Sequence, residues 1–141
     1  MSRRFNAPRE RVFRALTDPE QLARWWGPKG FSVPELALDV RAGGAWRTIM
    51  RSPEGRDHIV SGVYRDIMPP SRLVFTWAWE TGDTRSHETV VTIDLFEVAD
   101  GTRLELRQEV FESAESRDRH QHGWASCFDS LEDALASGAL N

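Results

Sequence analysis

Apolar residues near the start of the chain recur at helical spacing. Val12, Phe13 and Leu16 form one stripe. Pro8, behind a cap at Asn6 or Ala7, suits a first helical position because its missing N–H is not needed there. Thr17-Asp18-Pro19-Glu20 stops this helix and starts a second. Asp18 serves as N-cap, Pro19 takes the first position, and Gln21 completes a near capping box. The second helix is short, carries Leu22, Trp25 and Trp26, and ends at Gly27-Pro28.

After residue 30 the texture becomes that of strands. Phe31-Ser32-Val33 and Leu36 to Val40 read as extended, and Gly43-Gly44 turns the chain into a strand over 46–51. Ser52-Pro53-Glu54-Gly55 is a tight turn. Strands follow over 58–67, 73–79 and 89–98, separated by Pro69-Pro70 and Gly82-Asp83 and rich in β-favouring residues. Asp100-Gly101 is a hairpin turn. Beyond it Leu104, Leu106, Gln108 and Val110 face one way, and Arg103, Glu105, Arg107 and Glu109 the other, so this strand is half buried and half wet. From Ser113 the helical period returns. Glu115 and Asp118 favour a helix start, although Ser116 stands where a capping box needs an acid or amide. Trp124, Phe128, Leu131 and Leu135 then fall four, three and four apart, and Gly138 ends the helix.

Two short helices, about six mostly antiparallel strands and one long amphipathic helix predict an α+β fold. The terminal helix is expected to lie across the apolar face of a curved sheet. No linker or internal repeat interrupts the pattern, so residues 1–141 read as one domain. A curved sheet wrapped on one helix leaves space between them, a natural place for a ligand.

Composition narrows the function classes. The 141 residues are 40% hydrophobic and 28% charged, which is ordinary for a globular chain. The net charge of −4, with basic and acidic residues interspersed, argues against a nucleic-acid binder. No apolar run is long enough to span a membrane. The basic start of the chain has no apolar segment behind it, so it is not read as a secretory signal. One cysteine, Cys127, cannot form an internal disulfide, and a cytoplasmic protein is expected.

The unusual feature is six tryptophans. Leu73, Phe75, Trp77 and Trp79 share a strand face. With Trp46 and Trp124 they line an aromatic pocket or fill an ordinary core. Trp25 and Trp26 lie about 100° apart on their helix, so one is expected to pack inward and the other to cap the sheet or face the pocket mouth. Gln108 is the polar residue on an otherwise apolar strand face, and its amide must bond a ligand, backbone or water. His120 shares the stripe of Trp124 and Phe128, while His122 points the other way, so the pair cannot hold one ion. His58 and His87 lie far off in sequence. With no HExxH or CxxC motif, neither a metal nor another cofactor is expected. The candidate pocket residues are Trp25, Trp46, Trp77, Trp79, Gln108, His120, Trp124 and Phe128. Catalysis has little support. There is no GxSxG elbow, Cys127 reads as a small buried residue, and Asp129 and Glu132 read as solvated or as partners of arginines. Asp94, in an apolar strand, would pair with a charge on the outer face.

These residues resemble a known family. The stretch from Asn6-Ala7-Pro8-Arg9-Glu10 through Thr17-Asp18-Pro19-Glu20 to Trp25-Trp26-Gly27-Pro28 is its opening signature. Gly62-Val63-Tyr64, Arg72-Leu73-Val74-Phe75-Thr76-Trp77, Gly123-Trp124 and Asp129-Ser130-Leu131 follow in order. Together they are similar to the SRPBCC (START-like, Bet v 1-like) superfamily, in its activator-of-heat-shock-protein-ATPase homologue branch. The resemblance implies a helix-grip fold around a mostly hydrophobic cavity. One departure is the first strand, reduced here to Ser2–Phe5 at most. The expected function is a small binding protein for a lipidic or aromatic molecule, as monomer or homodimer. A polyketide-cyclase-like enzyme, with His120 and Gln108 polarising a carbonyl, is one alternative. A co-chaperone-like module that binds a chaperone or another protein is the other.

Overall fold

The N-terminal helices follow from their caps. Helix α1 spans Arg9–Thr17, and Pro8 precedes it as the N-cap, in extended conformation with φ −65° and ψ 152°. This corrects the expected start by one residue: neither Asn6 nor Ala7 caps the helix. The Pro8 carbonyl instead accepts from the amides of Arg11 and Val12. Helix α2 spans Pro19–Trp25, and the Asp18 carboxylate accepts from the Glu20 amide at 3.0 Å. The structure, a computed structural model, describes residues 1–109, 111, 113–138 and 140. Val110, expected on the inner face of the last strand, lies outside the described residues.

Eight strands follow the order β1 (Ser2–Phe5), β2 (Ser32–Leu38), β3 (Ala45–Arg51), β4 (Asp57–Met68), β5 (Arg72–Thr81), β6 (Thr84–Arg85), β7 (Thr89–Val98) and β8 (Gly101–Glu109) along the chain. All pair antiparallel in one curved sheet, in the spatial order β1-β8-β7-β5-β4-β3-β2, with β6 on β5. Beyond the six strands expected from periodicity, β1 is the short Ser2–Phe5 strand that the resemblance implied, and β6 was not foreseen. The four residues of β1 pair with β8, and the two of β6 form the hairpin on β5. The two extended pieces around Pro34 are one strand. It lies at the sheet edge, where a missing N–H is tolerated, and its register is irregular between Ser32 and Glu35.

Helix α3 (Ala114–Ser137) closes the fold, with the Ser113 hydroxyl accepting from the Ser116 amide at 3.1 Å. Its stripe meets the sheet as predicted. Trp124, Cys127, Phe128, Leu131 and Leu135 are buried, and Phe128 packs edge-on against Phe5 at 6.0 Å. Asp129 and Glu132 receive the guanidinium of Arg3 from β1, the latter at 2.8 Å. On the other flank Lys29 pairs with Asp133 at 3.0 Å and its amide donates to the Ser126 hydroxyl. Asp94 finds Arg72 across the outer face at 3.6 Å. Among the described residues no helix is long and apolar enough to cross a membrane.

Gly62 in β4 is required by the core. The Trp46 indole crosses it to donate to the Thr76 carbonyl at 3.1 Å. A Cβ at Gly62 would collide with that carbonyl and lie 2.7 Å from the indole nitrogen. Any side chain there would break the bond and push Trp46 out of place.

Candidate functional site

A cavity of 540 Å³ lies between the sheet and α3. One wall comes from β5, where alternation turns Trp77 and Trp79 to the same face. A second comes from α3, which presents Ser116, His120, Gly123 and Trp124. The turn that ends α2 supplies Trp26, Gly27 and Pro28. Gly27 takes φ +92°, which only glycine adopts without strain. A Cβ there would crowd Met50 and Phe31 at 3.3 Å.

Trp77 is the hub of the aromatic wall. Its ring centroid lies 5.1 Å from Trp124, 5.5 Å from Trp79, 5.6 Å from Trp46 and 5.9 Å from Trp26. These are tilted and edge-on contacts, the arrangements that ring quadrupoles favour. The indole N–H groups report how each ring is fixed. Trp26 donates to the Thr48 hydroxyl at 3.1 Å and Trp79 to His120 Nε2 at 2.9 Å. Trp77 Nε1 is buried with no hydrogen-bond partner among the described residues.

Of the eight residues singled out from sequence, Trp77, Trp79, His120 and Trp124 stand on this cavity wall. The other four do not. Trp25 is spent joining the two short helices, its indole donating to the Ala15 carbonyl at 3.0 Å. Its neighbour Trp26 takes the wall position instead. Trp46 is held in the core by the bond across Gly62. Phe128 is fully buried between Phe5 and Trp124. Gln108 lies behind Trp124, accepting from its indole and donating to Thr89 Oγ1, both at 2.8 Å. Thr89 in turn donates to the Trp77 carbonyl at 3.2 Å. The Gln108 amide therefore fixes the Trp124 indole and, through Thr89, ties to the backbone of Trp77, and it does not line this cavity.

His120 is similarly committed. Nε2 accepts from Trp79, so it carries no proton, and Nδ1–H donates to the Ser116 carbonyl at 2.8 Å. Both ring nitrogens are used, and no pair of His120 with Gln108 is poised on a carbonyl. Cys127 also reaches the wall, but burial pushes its thiol up to about 12. A thiol so protonated is a poor nucleophile. Sequence reasoning missed His58 and His87, which line the cavity from β4 and from the link before β7. A signal existed for His58: it is in phase with Val60 and Tyr64, the inward positions of β4. His87 lies outside any periodic element. Among the described residues no three His, Cys, Asp or Glu side chains group closely enough to hold a metal ion.

Comparison with known proteins adds a family. The model described as "Activator of Hsp90 ATPase homolog 1-like protein" matches residues 6–136. The crystal structure of the AHSA1 protein from Silicibacter pomeroyi is similar at 33% identity, with a TM-score of 0.90, over 98% of this chain and 96% of that one. A protein from Chromobacterium violaceum matches at 29% identity and TM-score 0.83, over 94% and 93% of the two chains. One from Nitrosomonas europaea matches at 26% and 0.80, over 99% and 94%. Among curated proteins none matches the chain.

Proposed function

The chain belongs to the family of activator of Hsp90 ATPase homolog 1-like proteins, within the SRPBCC superfamily, and from that premise we propose that it is a cytoplasmic carrier or sensor of a hydrophobic small molecule. The observation that carries this reading is the 540 Å³ space walled by Trp26, Trp77, Trp79 and Trp124. A space this size is in the range of small-ligand sites, and indole faces suit an apolar body. Of the groups weighed for chemistry, His120 on the wall is engaged by its two hydrogen bonds, Cys127 is kept protonated by burial, and Gln108 behind the wall is engaged by Trp124 and Thr89. That favours holding a molecule over transforming it.

The test uses a neutral apolar dye, N-phenyl-1-naphthylamine, titrated into the protein. Saturable binding with quenching of tryptophan emission is expected. Gly123 lines the cavity, and a Cβ built there meets nothing within 4 Å. Gly123→Leu should therefore fill the cavity and abolish the binding while the circular dichroism spectrum is kept. No saturable binding, or equal binding by the Leu variant, sinks the reading. A pull-down for a chaperone, the partner class that the family's description suggests, would then come next.

A further inference from the structure

The cavity wall is electrostatically one-sided. Its described lining holds Arg119, the imidazoles of His58, His87 and His120, and the hydroxyls of Ser86 and Ser116, but no Asp or Glu side chain. The chain as a whole is acidic, with 22 carboxylate residues against 18 basic ones. The neighbouring acids stay outside this lining: Glu88 is engaged by Arg85 at 3.0 Å and Asp118 lies 3.6 Å from Arg117. Glu115 reaches Arg119 at 3.5 Å, but both side chains are largely exposed. An exposed ion pair one helical turn apart is weak, because water screens it. Arg119 can exchange it for a better-placed anion.

The hydrogen-bonding inventory leans the same way. Two prominent side-chain acceptors near the wall are already taken, Nε2 of His120 by Trp79 and Oε1 of Gln108 by Trp124. A molecule that brings acceptors finds the guanidinium of Arg119 here. One that brings donors finds these two acceptors occupied.

We propose that the ligand is an amphiphile with an anionic head: its apolar body lies on Trp26, Trp77 and Trp79, and a carboxylate or similar acceptor-only group pairs with Arg119. This rests on the small-molecule reading above and names the ligand class for the same cavity. Arg is the suited partner because its planar guanidinium presents parallel N–H donors to two oxygens of one head.

The experiment compares pairs of compounds that differ only in the head: 2-naphthylacetate with 2-naphthylacetamide, and octanoate with octanamide. Dissociation constants are read by calorimetry and by displacement of N-phenyl-1-naphthylamine. In the wild type at least one acid should bind about tenfold more tightly than its amide, the scale of one charge-assisted hydrogen-bonded pair. Added salt should weaken the acid and leave the amide unchanged. Arg119→Gln should bring the acid to the affinity of the amide, and Arg119→Lys should keep part of the preference. Equal binding of acid and amide, or an acid preference that survives Arg119→Gln, overturns the anionic head. In that case continued dye binding leaves the cavity reading standing. If neither dye nor any of the four compounds binds to protein of native circular dichroism, both inferences fall.

Discussion

Between Trp124 and Ser137 the terminal helix buries five side chains and is gripped from both flanks, by Arg3 on one side and Lys29 on the other. Between Ala114 and Gly123 the same helix buries none, and the bond from Trp79 to His120 is its prominent side-chain tie to the sheet. The first region is core. The second is the roof of the cavity. Apolar burial contributes roughly 25 cal/mol per Å², so a turn that buries nothing is held mainly by helix propagation from the turns after it. Local opening costs least where buried contacts are fewest. On the proposed function, the part of the fold that would admit the ligand is thus the part with least to lose by moving.

Truncation on the two sides of Gly123 should break or uphold this contrast with the largest effect. Phe128 is fully buried against Phe5 and Trp124. Phe128→Ala should cost about 3–5 kcal/mol in urea unfolding, because a large packed ring leaves a cavity the backbone cannot close. His120→Ala removes hydrogen bonds from a partly exposed site and should cost about 1 kcal/mol. Its main signature should be faster amide exchange over residues 114–122, with exchange after Trp124 unchanged. Comparable losses for the two variants would mean that the roof is as integral to the core as the stripe.

Cys127, one turn into the buried region and still touching the cavity wall, sharpens the contrast through pH. Burial lifts its folded-state pKa from 9.0 to about 12. In the unfolded chain the thiol ionises near its ordinary value, and in the folded chain it does not. Stability is therefore intact below about pH 9 and falls as pH rises towards about 12, by at most about 1.4 kcal/mol per pH unit. Cys127→Ala should flatten most of this slope over pH 9–10, leaving the onset of the one from Tyr64, whose phenol burial also pushes up. The thiol should also react with a disulfide reagent at the rate of opening of the helix rather than at the rate of a free thiol. Equal slopes, or immediate labelling, would place the roof in a more open state than the structure describes.

The helix stripe could be read from sequence because a period of 3.6 is a local property, and each buried residue lies three or four from the next. The hairpins at Ser52–Gly55 and Asp100-Gly101 were legible for the same reason. The cavity wall was legible only in part, since it is assembled by contacts between distant elements. Trp25 and Trp26 are adjacent, yet one joins α1 to α2 and the other faces the cavity, and what separates them is an acceptor on Ala15 against one on Thr48. Gln108 stood out correctly as a polar residue on an apolar face. Its partners, Thr89 and Trp124, sit on another strand and on the helix, so its structural role could not be read from its own strand. The two shortest strands, β1 and β6, show no period: Ser2–Phe5 was expected only through the resemblance, and β6 not at all. Their partners on β8 and β5 define them.

The smallest effect is also the most pointed. Gly123 divides the two regions of α3, and a glycine inside a helix costs roughly 0.5–1 kcal/mol relative to alanine through backbone entropy. Nothing lies within 4 Å of a Cβ placed there, so packing gives no reason to exclude a methyl group. Gly123→Ala should therefore stabilise the protein by about 0.5–1 kcal/mol and slow amide exchange over 114–122, since the roof gains helix propensity at its junction with the core. Two hypotheses for the glycine then separate. If Gly123 is there to let the roof yield, dye association and dissociation should both slow, with the dissociation constant little changed. If it is there only to leave room, the added methyl should weaken binding through faster dissociation while association stays the same. A variant that is more stable yet unaltered in both rates would mean that the roof does not open to admit the ligand, and that entry runs past the exposed His87 side instead.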